Sequence, residues 1–353
     1  MPVVWSPDTR RHDPRHEVWL GVATPAVEVA ARVDAILDAL PGHDRVAASG
    51  HGVEALASVH DPALLDFLAA AADRWAQEGY AEAAGQSRVV PYFFPTPAMT
   101  GGLPVRLPAA LHGLTGQFCY DTMTLVGPGT WEAAVAAADC ALTAAGLVAA
   151  GAPSAYALAR PPGHHATPAG YGGSCYLNNA ALAAQALRDA GRQRVAVVDV
   201  DAHHGNGTQA IFWERGDVRY CSLHVDPAAG WFPHVLGHAD ETGAGEGKGA
   251  TRNLPLPERT GDGPWLEAVQ DLAEWVGDCD ALVVSLGVDA AADDPESPLQ
   301  VTADGYQAAG RLLGSLGLPS VIVQEGGYHL PTLGGLVAAY LEGHDGSGLT
   351  SSP

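Results

Sequence analysis

The sequence predicts an α/β protein of three layers, α/β/α, with a mostly parallel central sheet. Two observations carry this. From residue 131 onward, short aliphatic runs alternate with longer helical patterns, as in a parallel sheet covered on both faces. The chain also has 353 residues, enough to bury a large core and hold a site deep inside it.

Residues 16–80 read as helices around short loops. Pro25 to Leu40 carries Val27, Ala31, Ala35 and Leu40 at helical spacing. Asp61-Pro62-Ala63 opens another helix, with Asp61 as its cap and Pro62 at the first position. Residues 84–129 differ: they are rich in Gly, Pro and Thr and carry Tyr92, Phe93, Phe94, Phe118 and Tyr120. A long irregular segment in a compact domain is usually functional or an interface. Beyond it, Trp131–Ala150 reads as helix, Ala155–Ala159 as strand and Asn178–Ala190 as helix. Val195–Val200 and Tyr220–Val225 read as strands, Trp265–Val276 as helix, Ala281–Leu286 as strand, Gly305–Leu316 as helix and Ser320–Gln324 as strand. No internal repeat of fixed period is present. Residues 1–353 are expected to form a single domain with an irregular insertion at about 84–120.

Composition narrows the function. Eighteen Lys and Arg against 40 Asp and Glu give a formal charge of −22. Such a surface repels nucleic acid and favours cationic ligands, although solubility alone accounts for many acidic surfaces. The five cysteines are widely spaced with no CxxC, which argues against a disulfide framework or a Cys-based zinc site and fits a cytoplasmic protein. The Ala-rich stretch Ala133–Ala150 is interrupted by Asp139 and is expected to be a buried helix rather than a membrane span.

In parallel sheets, ligands bind outside the carboxyl ends of the strands. Four strand ends here carry His, Asp or Tyr beside glycines: Gly163-His164-His165, Asp199 to Gly207, Gly287-Val288-Asp289, and Gly326-Gly327-Tyr328. Asp201 and His203 are two apart as the chain leaves a strand, which puts both side chains on one side. Asp289 supplies a third ligand. Asp, His and Asp suit Zn²⁺, and also Fe²⁺ or Co²⁺, and three protein ligands leave a position open, as in catalytic sites. His164 and His165 are candidates for the base that hydrolysis needs. Asp199 is the natural partner for one imidazole, and Asn206 can hold the other without raising its pKa as much. Tyr328 can donate a hydroxyl to a tetrahedral oxyanion.

These stretches resemble the histone deacetylase family. Arg160 to Ala166, Asn178-Asn179-Ala180, Asp199 to Thr208, Ser222-Leu223-His224 and Glu325 to Tyr328 run in the family's order and spacing, over a region from Trp131 to about Leu341. Val284 to Asp289 with Asp294-Pro295, and Phe212 to Val218, look closest to the acetylpolyamine amidohydrolase branch. The resemblance implies the arginase–deacetylase fold and zinc-dependent hydrolysis of an N-acyl amide. The expected substrate is an acetylpolyamine or related small acetylated amine; a protein acyl-lysine deacetylase, a ureohydrolase and a catalytically silent binding protein are the alternatives.

By the same resemblance, Asp201, His203 and Asp289 hold the metal and His165 is the general base. His164 is its electrostatic neighbour and Tyr328 polarises the carbonyl. The backbone carbonyl of Gly173 accepts the substrate N–H, and a structural potassium lies against Asp199, Asp201, His203, Ser222 and Leu223. Branch members are often homodimers whose inserted loop narrows the partner's entrance, a position that residues 84–120 fit. Phe232, with Trp231 beside it, matches one channel wall. Ser174 stands where the family usually has an aromatic wall residue. Glu296 matches a gatekeeper glutamate in a eukaryotic polyamine-deacetylating relative.

Overall fold

The computed structural model describes residues 1–346; residues 347–353, the end of the expected 1–353 unit, lie outside the described part. Among the described residues are ten strands: β1 (Val3–Trp5), β2 (His16–Trp19), β3 (Val22–Pro25), β4 (Arg45–Ala47), β5 (Ser154–Ala157), β6 (Val195–Asp199), β7 (Val218–Val225), β8 (Thr251–Leu256), β9 (Ala281–Leu286) and β10 (Ser320–Gln324). Eight of them form one sheet in the order β4-β1-β5-β10-β9-β6-β7-β8. Every pairing in that sheet is parallel.

The central strands are buried on both faces, so their side chains alternate between two cores. Val195 and Val197 of β6 join a cluster with the helix Thr130–Ala149, whereas Ala196 and Val198 join a cluster with Trp265 and Leu272. Helix Thr130–Ala149 has an 18-residue window apolar enough to cross a membrane, but 61% of that window is buried inside the protein. Its alanines let it pack against helix Asn179–Asp189 and β5. Caps act where the residue types suggest. Asp61 accepts from the Ala63 N–H at 2.8 Å, and Asn178 from the Ala181 N–H at 2.9 Å.

The amino-terminal fifth differs from expectation. The helix expected from Pro25 begins only at Ala31, and Val22–Pro25 pairs antiparallel with His16–Trp19. Pro25 has no N–H and biases Thr24 away from helix, while its place at the end of a two-stranded ribbon needs no donor. Strands β1 and β4, three residues each, are too short for periodicity to reveal. Strand β8 also lay outside the expectation. Residues 84–120 contain only two short helices beyond Ala84, Pro97–Thr100 and Leu111–Phe118. The segment is anchored where it enters and leaves: Trp75 Nε1 donates to the Gln86 carbonyl at 2.7 Å, and Val89 pairs with Val126.

Candidate active site

Strands β5, β10, β9 and β6 are neighbours, so the four chemistry-bearing strand ends meet. The donor atoms of Asp201, His203 and Asp289 lie within 4.8 Å of one another. His203 Nδ1 is 3.3 Å from Asp201 Oδ1 and 3.2 Å from Asp289 Oδ2. Both carboxylates are fully buried. Burial and the Asp201 charge push the Asp289 carboxyl up to about 7. Burial opposes charge on His203, but hydrogen bonds to Asp201 and Asp289 outweigh it and raise the imidazole well above its usual range. Two buried acids converging on one point call for a cation.

The surrounding backbone closes tightly on these acids. A Cβ at position 287 would lie 2.0 Å from Asp201 Oδ2, and one at 326 would lie 2.1 Å from Asp289 Oδ2. The Gly326 N–H donates to Asp201 Oδ2 at 2.9 Å, and the Ala202 N–H to Asp289 Oδ1 at 2.9 Å. The residues therefore fit a divalent transition metal: three deprotonatable donors of borderline hardness, oriented by backbone donors.

The tandem histidines are differentiated by their partners. His164 Nδ1 is 3.0 Å from Asp199 Oδ2. Burial opposes its charge, yet Asp201 and Asp199 raise it to about 10. His165 Nδ1 is 2.7 Å from Asn206 Oδ1. Burial, then the charges of His164 and His203, hold His165 well below its usual range. One imidazole is thus kept cationic and its neighbour neutral.

A cleft opens above this set, lined by His165, His203, Gly173, Ser174, Phe232, Glu296 and Tyr328 among others. Phe232 meets the His165 ring edge-to-face, centroids 4.7 Å apart, and stacks with Tyr120 at 6.3 Å. Gly173 has φ +57°, and a Cβ there would lie 2.3 Å from the His165 ring, so glycine suits both the turn and the close approach. The Tyr328 hydroxyl has no partner among the described residues. Its backbone N–H donates to Asp294 Oδ2 at 2.6 Å, and the Arg32 guanidinium lies 4.8 Å from its ring centroid. Burial raises the phenol well above its usual range despite Arg32, which keeps it a donor.

Trp231 is a correction. It does not line the cleft; it packs 6.1 Å from the His203 ring and its indole N–H donates to Glu258 at 2.9 Å. On the expected potassium side, Asp199 pairs in register with Ser222, and the Ser222 hydroxyl is 2.7 Å from His224 Nδ1. His224 Nε2 donates to the Gly237 carbonyl at 2.9 Å, so its Nδ1 accepts from Ser222, whose hydroxyl oxygen keeps lone pairs beside the Asp199 carboxylate.

The structure adds residues that periodicity did not single out. Arg32 Nε donates to the Gly327 carbonyl at 2.6 Å, its guanidinium also donates to the Glu325 carbonyl at 2.5 Å, and Glu28 bridges it to Arg160. Asp121 accepts from the Gly173 N–H at 2.6 Å. Glu17 also lines the cleft. An arginine at a fully buried helical position was the available signal for Arg32; Glu17 and Asp121 carry none in the local pattern.

The profile of the histone deacetylase domain matches residues 26–344. The chain belongs to that family. The acetylpolyamine amidohydrolase of Mycoplana ramosa is 42% identical over 348 residues, covering 97% of this chain and 99% of the relative. Acetylpolyamine amidohydrolase 1 of Pseudomonas aeruginosa is 40% identical, covering 98% and 99%. Among solved structures, the acetylpolyamine aminohydrolase of Burkholderia pseudomallei superposes with a TM-score of 0.90 at 39% identity, covering 98% of both chains. The histone deacetylase family chain thus has the arginase–deacetylase fold and, by that membership, is an amidohydrolase. The ureohydrolase alternative lacks one of its carboxylates: Gly205 stands where a second metal would need an extra Asp.

Proposed function

We propose that this chain is a metal-dependent deacetylase of acetylated polyamines, releasing acetate and a free amine. Near full-length likeness to proteins named acetylpolyamine amidohydrolases carries this proposal. The acid-lined cleft is consistent with it. Asp201, His203 and Asp289 would hold Zn²⁺, with Fe²⁺ or Co²⁺ suited to the same donors. A metal there supplies Lewis-acid polarisation of the amide carbonyl and lowers the pKa of water. Asp199, Ser222 and Leu223, with the backbone of Asp201 and His203, would hold K⁺ beneath it.

The chain's own residues do the rest. His165 donates its Nδ1–H to Asn206, which leaves the Nε2 lone pair to take a proton from the attacking water. His164, held cationic by Asp199, stabilises the negative charge that develops. Tyr328 donates its hydroxyl to the oxyanion. The Gly173 carbonyl accepts from the substrate N–H, Phe232 and Ser174 flank the arm, and Glu296 attracts a distal ammonium. His165, then protonated, passes a proton to the departing amine.

The test is acetate release by metal-supplemented protein from acetylputrescine, acetylspermidine and an acetyl-lysine peptide. The polyamines are expected to give at least tenfold higher kcat/KM. Faster release from the peptide would move the assignment to protein acyl-lysine, and no release from any would overturn it.

The described residues act in this proposal as one catalytic unit, with segment 84–120 at an interface. Tyr92, Met99, Leu103, Val105 and Leu107 of that segment are each more than half exposed. Contiguous exposed apolar side chains mark association sites, and a homodimer covers them. Sedimentation equilibrium is expected to show a dimer that Leu103→Glu/Val105→Glu converts to monomer; a monomer of wild-type protein at tens of micromolar would refute it. A reducing, cytoplasmic location suits five cysteines that are all free and buried.

A further inference from the structure

We propose that Tyr120 is a positioning residue for the general base: its hydroxyl fixes which way the Asn206 amide faces, and the amide in turn fixes which ring nitrogen of His165 carries the proton. This rests on the deacetylase assignment above and ties the end of segment 84–120 to its chemistry.

With Nδ1 facing Asn206 Oδ1 at 2.7 Å, His165 has only Nε2 left to act as a base. That requires the Nδ1–H tautomer, which an amide oxygen enforces by accepting. An asparagine side chain is two-faced, however. Turned over, it would present its NH₂ group to Nδ1, and the imidazole would then carry its proton on Nε2, where the base needs a lone pair. Asn206 opens the helix Asn206–Phe212, so its backbone is fixed while the amide can still rotate. The Tyr120 hydroxyl settles the choice. It donates to the His165 backbone carbonyl at 2.6 Å. With its proton committed there, it can only accept from the amide, and Asn206 approaches it as a donor. With Nδ2 held on Tyr120, Oδ1 faces His165. Tyr120 and His165 are the groups that hydrogen-bond the Asn206 side chain among the described residues.

Tyr120 is held for this role from three sides. Its backbone N–H donates to the Tyr171 carbonyl at 3.2 Å, and the Tyr171 N–H donates to the Phe118 carbonyl at 2.8 Å, which pins the end of helix Leu111–Phe118 beside residues 170–173. Its ring fills the space over Gly172, where a Cβ would lie 2.2 Å from it. The same ring stacks on Phe232 with an interplanar angle of 9°. Tyr120 is 36% exposed as a residue, but its hydroxyl end reaches His165 and Asn206, which are only 4% and 7% exposed. Phenylalanine at position 120 would keep the ring contacts and remove the hydroxyl alone.

A double-mutant cycle provides the test. An aspartate at position 206 has two oxygens, so it accepts from His165 Nδ1 whichever way it turns and needs no orienting partner. In wild type, Tyr120→Phe is expected to lower kcat for acetylputrescine by at least about tenfold with KM kept within about twofold, because a histidine in the wrong tautomer cannot act as base. In the Asn206→Asp background the same substitution should change kcat by less than about threefold. A loss of equal size in both backgrounds, as lost packing or the lost bond to the His165 carbonyl would give, would overturn the proposal. Long-range ¹H–¹⁵N NMR of the zinc-supplemented protein reads the tautomer without turnover, with His165 assigned from His165→Gln. The Nδ1–H form is expected in wild type, with the Nε2–H form gaining population in Tyr120→Phe; an unchanged tautomer in the variant would equally overturn the proposal. Wild-type protein that released no acetate yet showed this tautomer shift would refute the deacetylase assignment and leave the role of Tyr120 standing.

Discussion

Asp289→Asn is expected to abolish acetate release, with kcat/KM lower by at least about 10³-fold, and to lower the metal bound per chain. Lewis-acid assistance is worth several kcal/mol of transition-state stabilisation, and about 1.4 kcal/mol is tenfold. Asp289 is one of only three convergent donors and supplies one of the two negative charges facing His203. The amide keeps the size of the side chain, and its oxygen can still accept from the Ala202 N–H, as Asp289 Oδ1 does at 2.9 Å. The fold is therefore expected to survive, seen as an unchanged circular dichroism spectrum and cooperative melting. Elemental analysis and acetate release measured on the same preparation separate the outcomes. A variant that kept one metal per chain and more than a tenth of wild-type activity would remove Asp289 from the ligand set.

Tyr328→Phe is expected to lower kcat by about 10²–10³-fold with little change in KM, the usual cost of removing one oxyanion donor. The hydroxyl lines the cleft with no partner among the described residues. The phenol is also raised well above its usual range, so it remains a donor across the working pH range. Phenylalanine preserves the ring under Arg32, 4.8 Å from the guanidinium in the tyrosine, and the backbone bond to Asp294. The substitution thus isolates the hydroxyl. Activity above about a third of wild type would assign carbonyl polarisation elsewhere.

Much of this site can be read without coordinates, and the reason is local. Asp201 and His203 are two residues apart beyond a buried strand, so their spacing alone puts both donors on one side. Asp199 and Asn206 lie in the same short stretch, and the expectation that they hold the two imidazoles differently matches the observed pairs His164–Asp199 and His165–Asn206. Strands β9 and β10 occur at the expected residues because aliphatic runs bounded by Gly, Asp and Pro have few other solutions.

Local pattern fails where the deciding contacts are distant. The Pro25–Leu40 stretch satisfies helical spacing, yet Val22–Pro25 pairs with His16–Trp19 and the helix waits until Ala31. That hairpin carries Glu17 to the cleft. Asp121 takes its place through four hydrogen bonds to Met123, Thr124 and Gly173. Trp231 shares its sequence neighbourhood with Phe232 but packs elsewhere, since its indole N–H reaches Glu258.

The sequence by itself determined the layers of the fold and the residue types at each strand end, because helical and strand periods and turn chemistry act over a few residues. Only the tertiary structure decided the order β5-β10-β9-β6, which brings His164, Asp201, Asp289 and Tyr328 to one point across more than 160 residues of chain. It also brought Glu17, Asp121 and Glu296, from three distant segments, to the same cleft. Strand order is set by crossover helices packing on both faces of the sheet, and the local pattern of each strand is the same whichever neighbour it pairs with.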